Sequence, residues 1–332
     1  MESKIRNIAL QLGIDTVGFT DCSPFHRIEN RLYSRLESDK MTEFEHLTIE
    51  DRVYPNKIFS DCKGIIAVAV PYDTGYKVSS GETLKGTLSK SSWGTDYHKV
   101  IEQLMYKFIK VLKKEFNAEF MAFVDTGPLV DREVAHRAGI GYYGKNCSII
   151  TNEYGSYVFL GYILTNLNLS ADNTPMESQC GDCRLCIDAC PTGAISENGE
   201  INAKSCVSYL TQTKKPIPKG LQSNMGVKIY GCDTCQLVCP KNKGVQKSLI
   251  EDFIPVKTGG YVDIAELLNM SKKEYSLKYD DMAGSWRGRS VLIRNAIIAL
   301  NNMGKIAEYN DEMENLMKRN PAFYGDYIEK DN

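Results

Sequence analysis

The spacing of the cysteines is the strongest chemical signal in this sequence. Eight of the eleven cysteines fall between Cys180 and Cys239, in a run Cys-x₂-Cys-x₂-Cys-x₃-Cys-Pro that begins at Cys180 and a run Cys-x₂-Cys-x₃-Cys-Pro that begins at Cys232. Cys206 stands between the two runs. Three closely spaced thiolates hold one face of a 4Fe–4S cube, and in two-cluster ferredoxins the fourth cysteine of a run ligates the other cluster. The pattern therefore predicts two 4Fe–4S clusters.

This crossover divides the eight cysteines into two predicted ligand sets. The first cluster is expected to bind Cys180, Cys183, Cys186 and Cys239. The second cluster is expected to bind Cys190, Cys206, Cys232 and Cys235. Structural zinc is the rival interpretation, because paired Cys-x₂-Cys units also bind zinc. A zinc site needs neither a three-thiolate run nor a Cys-Pro ending, so the clusters are the favoured prediction.

The other metal-binding residue types show no ligand spacing. The remaining thiols are Cys22, Cys62 and Cys147. They are expected to be ordinary buried or surface cysteines. The histidines are His26, His46, His98 and His136. Each is expected to be a surface or packing residue rather than a metal ligand.

Asp125 stands where a predicted strand ends, next to Thr126 and Gly127. An acid in that place is most often a turn or capping residue. It can also be a general acid that protonates a leaving oxygen at the edge of a cavity. Position alone leaves both interpretations open.

Three glycines, Gly139, Gly141 and Gly144, match the G-x-G-x-x-G pattern of dinucleotide sites. That fingerprint must follow a strand and open a helix, whereas here it closes a predicted helix and leads into a predicted hairpin. We expect these glycines to let the backbone pass closely beside another group instead.

Charge is unevenly spread along a chain whose net charge is only −2. Residues 201–250 contain eight lysines against one acid, and residues 282–307 contain four basic residues and no acid. Such basic windows suggest a polyanionic partner, because phosphate contacts need local positive charge. Solvated lysines on surface loops are the alternative.

The apolar patterns predict an α+β protein of two or three units, as a chain of 332 residues suggests. The predicted elements are a strand at 64–71, a helix at 97–116, a strand at 119–124, a helix at 130–138, a hairpin of 147–151 with 156–160, and C-terminal helices at 291–300 and 310–319. The predicted domains are an α/β unit at 1–170, a bacterial two-cluster ferredoxin-like unit at 171–250 and a helical HEAT-like tail at 251–332. Two helices joined near Gly304 form its single repeat.

The sequence contains no apolar run that approaches the roughly 20 residues of a membrane span, and its beginning has no signal-peptide pattern. A dense cysteine cluster without a secretion signal indicates metal or redox chemistry rather than disulfides. We therefore expect a cytoplasmic protein without a membrane partner. No symmetric interface pattern is present, so we expect a monomer.

Several short motifs, taken in order and with their spacing, resemble the epoxyqueuosine reductases across residues 5–305. The motifs are Val124-Asp-Thr-Gly127, Ala138-Gly-Ile-Gly141, Gly144-Lys-Asn146, Glu153-Tyr-Gly-Ser156, the two cysteine runs and Ser285-Trp-Arg-Gly288. The resemblance implies a cobalamin in the N-terminal domain beside the two clusters. It also implies that the epoxide of epoxyqueuosine is converted to the alkene of queuosine at the tRNA wobble position, in the anticodon loop.

The resemblance also assigns roles to residues. Asp125 becomes the proton donor, and burial against the corrin is expected to raise its pKa. The residues matching positions near the corrin are Arg52, Asp125, Ile149, Leu160, Ser208 and Asp233. The residues expected to face tRNA are Lys214, Lys215, Arg287, Arg289 and Arg294. A one-electron donor such as flavodoxin or ferredoxin is expected to supply electrons to the clusters.

The Asp-x-His-x-x-Gly cobalamin signature is absent from the sequence, which agrees with a family in which no protein histidine ligates the cobalt. The single C-terminal repeat departs from members that carry several. Two alternatives remain open. A reductive dehalogenase or another small-molecule reductase would use the same cofactors without needing the basic windows, and a ferredoxin-like electron-transfer protein would bind no cobalamin.

Overall fold

A four-stranded antiparallel sheet forms the centre of the N-terminal part of the computed structural model, which describes residues 1–45, 48–79, 84–170 and 174–328. The strands in these ranges are β1 (Thr16–Thr20), β2 (Gly64–Pro71), β3 (Lys85–Leu88), β4 (Phe120–Val124), β5 (Tyr142–Tyr143), β6 (Ile149–Ile150), β7 (Val158–Thr165), β8 (Lys228–Tyr230) and β9 (Tyr261–Asp263). The strand order of the main sheet is β1-β2-β7-β4.

Strand β2 lies inside this sheet and is buried on both faces, which explains its unbroken apolar sequence. Ile66 and Val68 belong to one core, whereas Ile65 and Ala67 belong to the core on the opposite face. Successive side chains of a strand point to opposite faces, so a strand between two cores needs apolar residues at every position. The predicted strand at 64–71 is confirmed.

Helices cover both faces of the sheet. In the first part of the chain they are α1 (Glu2–Gln11), α2 (His26–Glu37), α3 (Ile49–Val53), α4 (Pro55–Ile58), α5 (Tyr97–Glu115) and α6 (Asp131–Arg137). Helix α5 begins where the Asp96 side chain accepts the backbone N–H of His98, a standard N-cap. Phe108 and Leu112 of α5 are buried in one core, and Val134 of α6 is buried in the other. The predicted helices at 97–116 and 130–138 and the predicted strand at 119–124 are confirmed.

Short helices surround the cysteines, and longer ones follow them. The four-residue helices are α7 (Leu185–Asp188), α8 (Val207–Leu210), α9 (Lys219–Gln222) and α10 (Thr234–Leu237). The C-terminal helices are α11 (Ile264–Asn269), α12 (Lys272–Tyr279), α13 (Arg289–Asn302), α14 (Asn310–Arg319) and α15 (Pro321–Tyr324). Helix α13 is buried from Val291 to Leu300, so it forms the centre of the C-terminal core rather than a surface helix. The two predicted C-terminal helices are confirmed, and their HEAT-like character stays a prediction.

A second sheet joins parts of the chain that the sequence assigned to three domains. Strand β3 pairs with β8 in parallel and with β9 in antiparallel orientation. In addition, Phe253 packs into the core of the N-terminal sheet. The predicted domain boundaries stay a prediction, but these contacts hold the three ranges together around the cysteine-rich segment.

Two expectations about local structure are wrong. Residues 147–151 and 156–160 do not form one hairpin: β6 pairs with β5, and β7 joins the main sheet. Only a bridge between Thr151 and Gly155 closes the turn between them. Strand β7 carries apolar residues for both cores, so the main sheet offers it more burial than a hairpin would.

Cys22 and Cys62 are not separate thiols either, because they form a disulfide, whereas Cys147 is free and buried.

The three glycines of the G-x-G-x-x-G match close helix α6 and lead into β5, as expected. Gly139 has φ of +67°. A Cβ on Gly141 would lie 2.5 Å from the carbonyl oxygen of Ile150, so the close backbone approach is to the paired strand β6. Within the described ranges, no helix combines the length and apolarity that crossing a membrane requires.

Candidate functional site

Asp125 directly follows the last residue of β4, and its side chain is exposed. Its φ is +56°, and the Thr126 N–H donates back to the Val124 carbonyl at 2.5 Å, which makes a tight turn. A Cβ at Gly127 would lie 2.4 Å from the Tyr162 hydroxyl oxygen, so glycine is needed where this turn packs on β7. The Asp125 carboxyl is closely surrounded by protein groups yet 59% exposed. The carboxyl is therefore held by its neighbours and still open to solvent.

The start of helix α5 supplies the partners of this carboxyl. The Tyr97 hydroxyl donates to Oδ2 of Asp125 at 2.7 Å, and Nε2 of His98 lies 3.3 Å from the same oxygen. The other ring nitrogen of His98, Nδ1, lies 2.8 Å from Oδ1 of Asp96. The Tyr97 ring stacks on the His98 ring at 4.1 Å. His98 therefore belongs to the site, although the sequence predicted a surface or packing residue.

These contacts set the protonation of the pair. Burial opposes the charge on Asp125, but the hydrogen bonds from His98 and Tyr97 and the charges of His98 and Arg132 outweigh it, so the pKa of Asp125 is lowered. Burial also opposes the imidazolium form of His98, but its bonds to Asp125 and Asp96 raise its pKa to about 9. The expectation of a raised Asp125 pKa depends on burial against the corrin, so it stays a prediction for the cobalamin-bound protein. At neutral pH the proton resides on His98.

A second carboxyl lies beside the first. Asp131 opens helix α6, and burial and the charge of Asp125 raise its pKa well above the usual value. Oδ1 of Asp131 is buried without a hydrogen-bond partner among the described residues. Two neighbouring carboxyls whose environments move their pKa values in opposite directions are a common mark of acid–base sites.

The residues assigned to the corrin lie on separate elements. Arg52 on α3 is mostly buried and pairs with Glu45 at 3.2 Å. Arg132, which the sequence did not single out, carries a charge felt by both Arg52 and Asp125. Ile149 on β6 is buried in a hydrophobic core, and Leu160 on β7 is partly buried against that core.

Ser208 and Asp233 stand next to cluster cysteines. Ser208 lies in helix α8, two residues after Cys206, and its carbonyl accepts the Gln212 side-chain N–H at 3.0 Å. Oδ2 of Asp233 accepts the Lys90 backbone N–H at 2.8 Å, and its Oδ1 accepts the Ser89 hydroxyl. Burial raises the pKa of Asp233.

The seven cysteines of the two runs and Cys206 are free and partly exposed. Helix α7, which contains Cys186, packs against helix α10, which contains Cys235. Burial and the charges of neighbouring thiolates raise the pKa values of several of them. The neighbours acting on Cys186 are Cys180, Cys239 and Cys183, in that order. The neighbours acting on Cys206 are Cys232 and Cys190. For Cys235, burial is the largest cause of the raised pKa. The charges of the Cys232, Cys206 and Cys186 thiolates follow, in that order. The strongest mutual effects thus fall within the two predicted ligand sets.

The basic residues predicted to face tRNA divide into two kinds. Lys214 and Lys215 are exposed, and Lys215 pairs with Glu43 at 3.3 Å. Arg287 is half-buried and donates to the Gln212 carbonyl at 2.5 Å. Arg289 lies in the wall of a separate cleft of about 410 Å³, between the C-terminal helices, where its Nε and Nη2 have no partner among the described residues.

Arg294 corrects the sequence prediction, because its side chain is fully buried. Its guanidinium donates to the carbonyls of Thr213 at 2.5 Å and Leu210 at 2.9 Å and to the side chain of Asn295. Because its N–H groups bond to carbonyls inside the core, the guanidinium cannot contact a phosphate. Arg294 instead braces the segment that carries Lys214.

The cysteine spacing and the exposed carboxyl site are those of an iron–sulfur oxidoreductase, and comparison with protein families agrees. The model described as "4Fe-4S double cluster binding domain" matches residues 179–242. The model described as "Epoxyqueuosine reductase QueG, DUF1730" matches residues 52–126, a range that holds Arg52, Tyr97 and His98.

Similar proteins extend the match over most of the chain. The epoxyqueuosine reductase of Bacillus anthracis is 41% identical over 314 residues, which is 93% of this chain and 82% of that protein. A solved epoxyqueuosine reductase bound to an epoxyqueuosine-modified tRNA stem loop superposes with a TM-score of 0.91 at 38% identity, covering 95% of this chain and 84% of that one. The Bacillus subtilis enzyme, with its catalytic aspartate loop swung out of the active site, gives a TM-score of 0.90 at 36% identity, covering 96% and 86%. The chain belongs to the epoxyqueuosine reductase family.

Proposed function

We propose that this protein reduces epoxyqueuosine to queuosine at the wobble position of tRNA, with Asp125 delivering the proton that the leaving oxygen needs. The observation that carries the proposal is the open carboxyl of Asp125 held against a charged His98. Family membership supplies the substrate, because the tRNA-bound relative is similar over nearly the whole chain.

The eight cysteines fit two 4Fe–4S clusters in the predicted ligand sets, since their mutual electrostatic effects group them in the same way. The second set adjoins Ser208 and Asp233, and so faces the corrin positions. We therefore assign Cys180, Cys183, Cys186 and Cys239 to the cluster that receives electrons first. One-electron carriers such as flavodoxin or ferredoxin suit a cluster that accepts one electron at a time.

The donors present around Asp125 fit a cobalamin whose cobalt takes no histidine from the protein. Both ring nitrogens of His98 are already occupied by carboxylates, so this histidine is not free to ligate a metal. When bound, cobalamin would supply the low-potential cobalt that reduces the epoxide carbon. Arg52, Ser208 and Asp233 would be the polar residues that hold the corrin, and Ile149 and Leu160 the apolar ones.

The charges at the site indicate the source of the proton. An alkoxide or hydroxide leaves poorly at neutral pH, so epoxide opening needs a general acid within hydrogen-bonding reach. The Asp125 side chain is 59% exposed, whereas that of His98 is 27% exposed and carries the proton. Asp125 would take that proton through Nε2 of His98 and pass it to the oxygen. The swung-out loop of the Bacillus subtilis relative suggests that the Asp125 turn also moves as substrate enters.

The tRNA would approach over the surface that carries Lys214 and Arg287. Lys214 is exposed for phosphate contact, and Arg287 lies close to Tyr230, whose hydroxyl feels the charge of Asp125. Anticodon loops are read through splayed bases, stacking and phosphate contacts. A monomer acting in the cytoplasm agrees with a tRNA substrate and with the eight free cysteines between Cys180 and Cys239, which must stay reduced to bind the clusters.

The test is anaerobic purification of cobalamin-supplemented protein with iron, sulfide and cobalt counted per chain. We expect about eight iron, as two 4Fe–4S clusters require, and about one cobalt. About eight iron with no cobalt under any reconstitution would contradict the reductase proposal and leave an electron-transfer protein. A chain that bound zinc in place of iron would overturn the cluster assignment as well.

A further inference from the structure

Two large aromatic side chains lie exposed at the edge of the candidate site. Trp286 is 56% exposed and Phe44 is 41% exposed, and their ring centroids are 5.8 Å apart. The guanidinium carbon of Arg287 lies 4.4 Å from the Trp286 ring centroid and 4.9 Å from that of Phe44. Exposed aromatic side chains grouped with an arginine are typical of a binding surface. Large apolar rings are poorly solvated by water, so covering them with a ligand is favourable.

This surface is held rigidly from both sides. Trp286 lies in a single turn that leads through Gly288 into the buried helix α13. Phe44 stands between Glu43 and Glu45. The carboxylate of Glu43 accepts the hydroxyls of Tyr209 and Thr213, both at 2.8 Å. The carboxylate of Glu45 accepts donors from Arg35 and Arg52. A preorganised surface loses little freedom when a ligand binds.

The aromatic surface is continuous with the reaction site. The Asp96 backbone N–H, at the start of helix α5, donates to the carbonyl of Asp281 at 2.5 Å, five residues before Trp286. Burial and the charges of Asp96 and Asp125 raise the pKa of Tyr230. The Tyr230 hydroxyl donates to Gln212 Oε1 at 3.0 Å, and the Gln212 carbonyl accepts from Arg287. A Cβ at Gly284 would lie 2.8 Å from the Tyr230 ring, so glycine lets this turn pack flat on Tyr230. A group on this surface would therefore sit beside whatever reacts at Asp125.

We propose that Phe44, Trp286 and Arg287 form a stacking platform for an unpaired base that neighbours the modified nucleotide in the anticodon loop. This inference rests on the proposed function, because it takes tRNA as the substrate. Single-stranded RNA is recognised by stacking its splayed bases on aromatic rings and arginine planes. The platform combines both, and exposed Lys214 on the neighbouring segment adds the positive charge that a phosphate needs. Stacking tolerates any base, so the platform holds the loop open without reading its sequence.

The experiment is a double-mutant cycle on binding, measured by anisotropy of a labelled anticodon stem-loop RNA that carries unmodified guanine at the wobble position. Each unpaired loop position is replaced in turn by an abasic residue, and each RNA is titrated with holoenzyme and with Trp286→Ala. One abasic position should weaken wild-type binding about tenfold, as should Trp286→Ala with intact RNA. The two changes together should cost no more than either alone. Trp286→Phe, which keeps a ring, should recover most of the affinity.

Tyr106→Ala is the matched control, because Tyr106 is a 68% exposed aromatic on helix α5 and should not change binding. Iron content and melting temperature should match wild type in every variant. An affinity of Trp286→Ala within twofold of wild type, or losses that multiply at every abasic position, would overturn the platform. Because binding is measured without turnover, an enzyme that shows the coupling but forms no queuosine would keep the platform and contradict the proposed chemistry.

Discussion

Nε2 of His98 lies 3.3 Å from Oδ2 of Asp125, and the same histidine is held on its other side by Asp96 at 2.8 Å. This arrangement places a charged imidazole between two carboxylates, that of the partly buried Asp96 and that of the exposed Asp125. The pKa of His98 rises to about 9, and the pKa of Asp125 falls. The pair can therefore store a proton at neutral pH and expose the group that delivers it.

Asp125→Asn should abolish proton delivery and leave the rest of the protein intact. Asparagine keeps the size and most hydrogen bonds of the side chain but cannot pass a proton. We expect turnover to fall by about 10²-fold or more, which is the usual scale of general acid catalysis. Single-turnover formation of queuosine measures this, with iron content and RNA affinity as controls. Turnover near the wild-type rate would contradict the role of Asp125.

His98→Gln should change the pH dependence of turnover. The folded pKa of His98, about 9, lies above its ordinary value of 6.5, so the wild-type imidazole is charged at neutral pH and loses its proton as the pH rises through about 9. We expect wild-type turnover to fall along that alkaline limb. Glutamine does not titrate, so the variant should be slower and lack this limb, and the pKa of Asp125 should rise. A pH profile from 6 to 10 that is identical for both proteins would exclude the relay.

Lys214→Ala should weaken tRNA binding and reduce its salt dependence, because each lost phosphate contact lowers the slope of log affinity against log salt by about 0.7 to 0.9. Lys215→Ala should have a smaller effect, since Glu43 already pairs with Lys215. The double variant Lys107→Ala/Lys110→Ala removes two exposed lysines of helix α5 and is the matched control. If the slopes of all three proteins equalled that of wild type, the lysine-rich stretch would be a solvated face.

Arg294→Met should destabilise the protein rather than remove a direct RNA contact. The substitution leaves the buried carbonyls of Thr213 and Leu210 without their donor, at a cost of about 3 kcal/mol in the free energy of unfolding. We expect a lower melting temperature of the holoenzyme, measured anaerobically. RNA affinity per folded molecule should fall only as far as the Lys214 segment loosens. An unchanged melting temperature together with lost RNA binding would restore the surface role that the sequence suggested.

The sequence predicted the chemistry that depends on spacing along the chain. The cysteine runs are local patterns, and a double-cluster family model matches the same residues. The long apolar strand β2 and helix α5 were predictable for the same reason, since their periodicity lies within one segment. The ligand sets of the individual clusters stay a prediction, supported by the mutual effects of the thiols.

Features that depend on contacts between distant segments escaped sequence analysis. His98 gained its role only because the start of α5 meets the end of β4, 27 residues further along the chain. Arg294 looked like part of a basic window, yet its helix is the centre of a core. There two carbonyls and one side-chain amide oxygen accept its N–H groups. The pairing of Phe44 with Trp286 spans most of the chain. In each case the sequence gives the residue type but not its neighbour.

The most direct test of the account is the fate of epoxyqueuosine itself. Holoenzyme loaded with both clusters and cobalamin is reduced anaerobically and mixed with epoxyqueuosine-containing tRNA, and the nucleosides are analysed by mass spectrometry. We predict that queuosine appears with loss of one oxygen atom, and that it fails to appear when cobalamin is omitted. Fully loaded, reduced enzyme that binds this tRNA and leaves epoxyqueuosine unchanged would contradict the account.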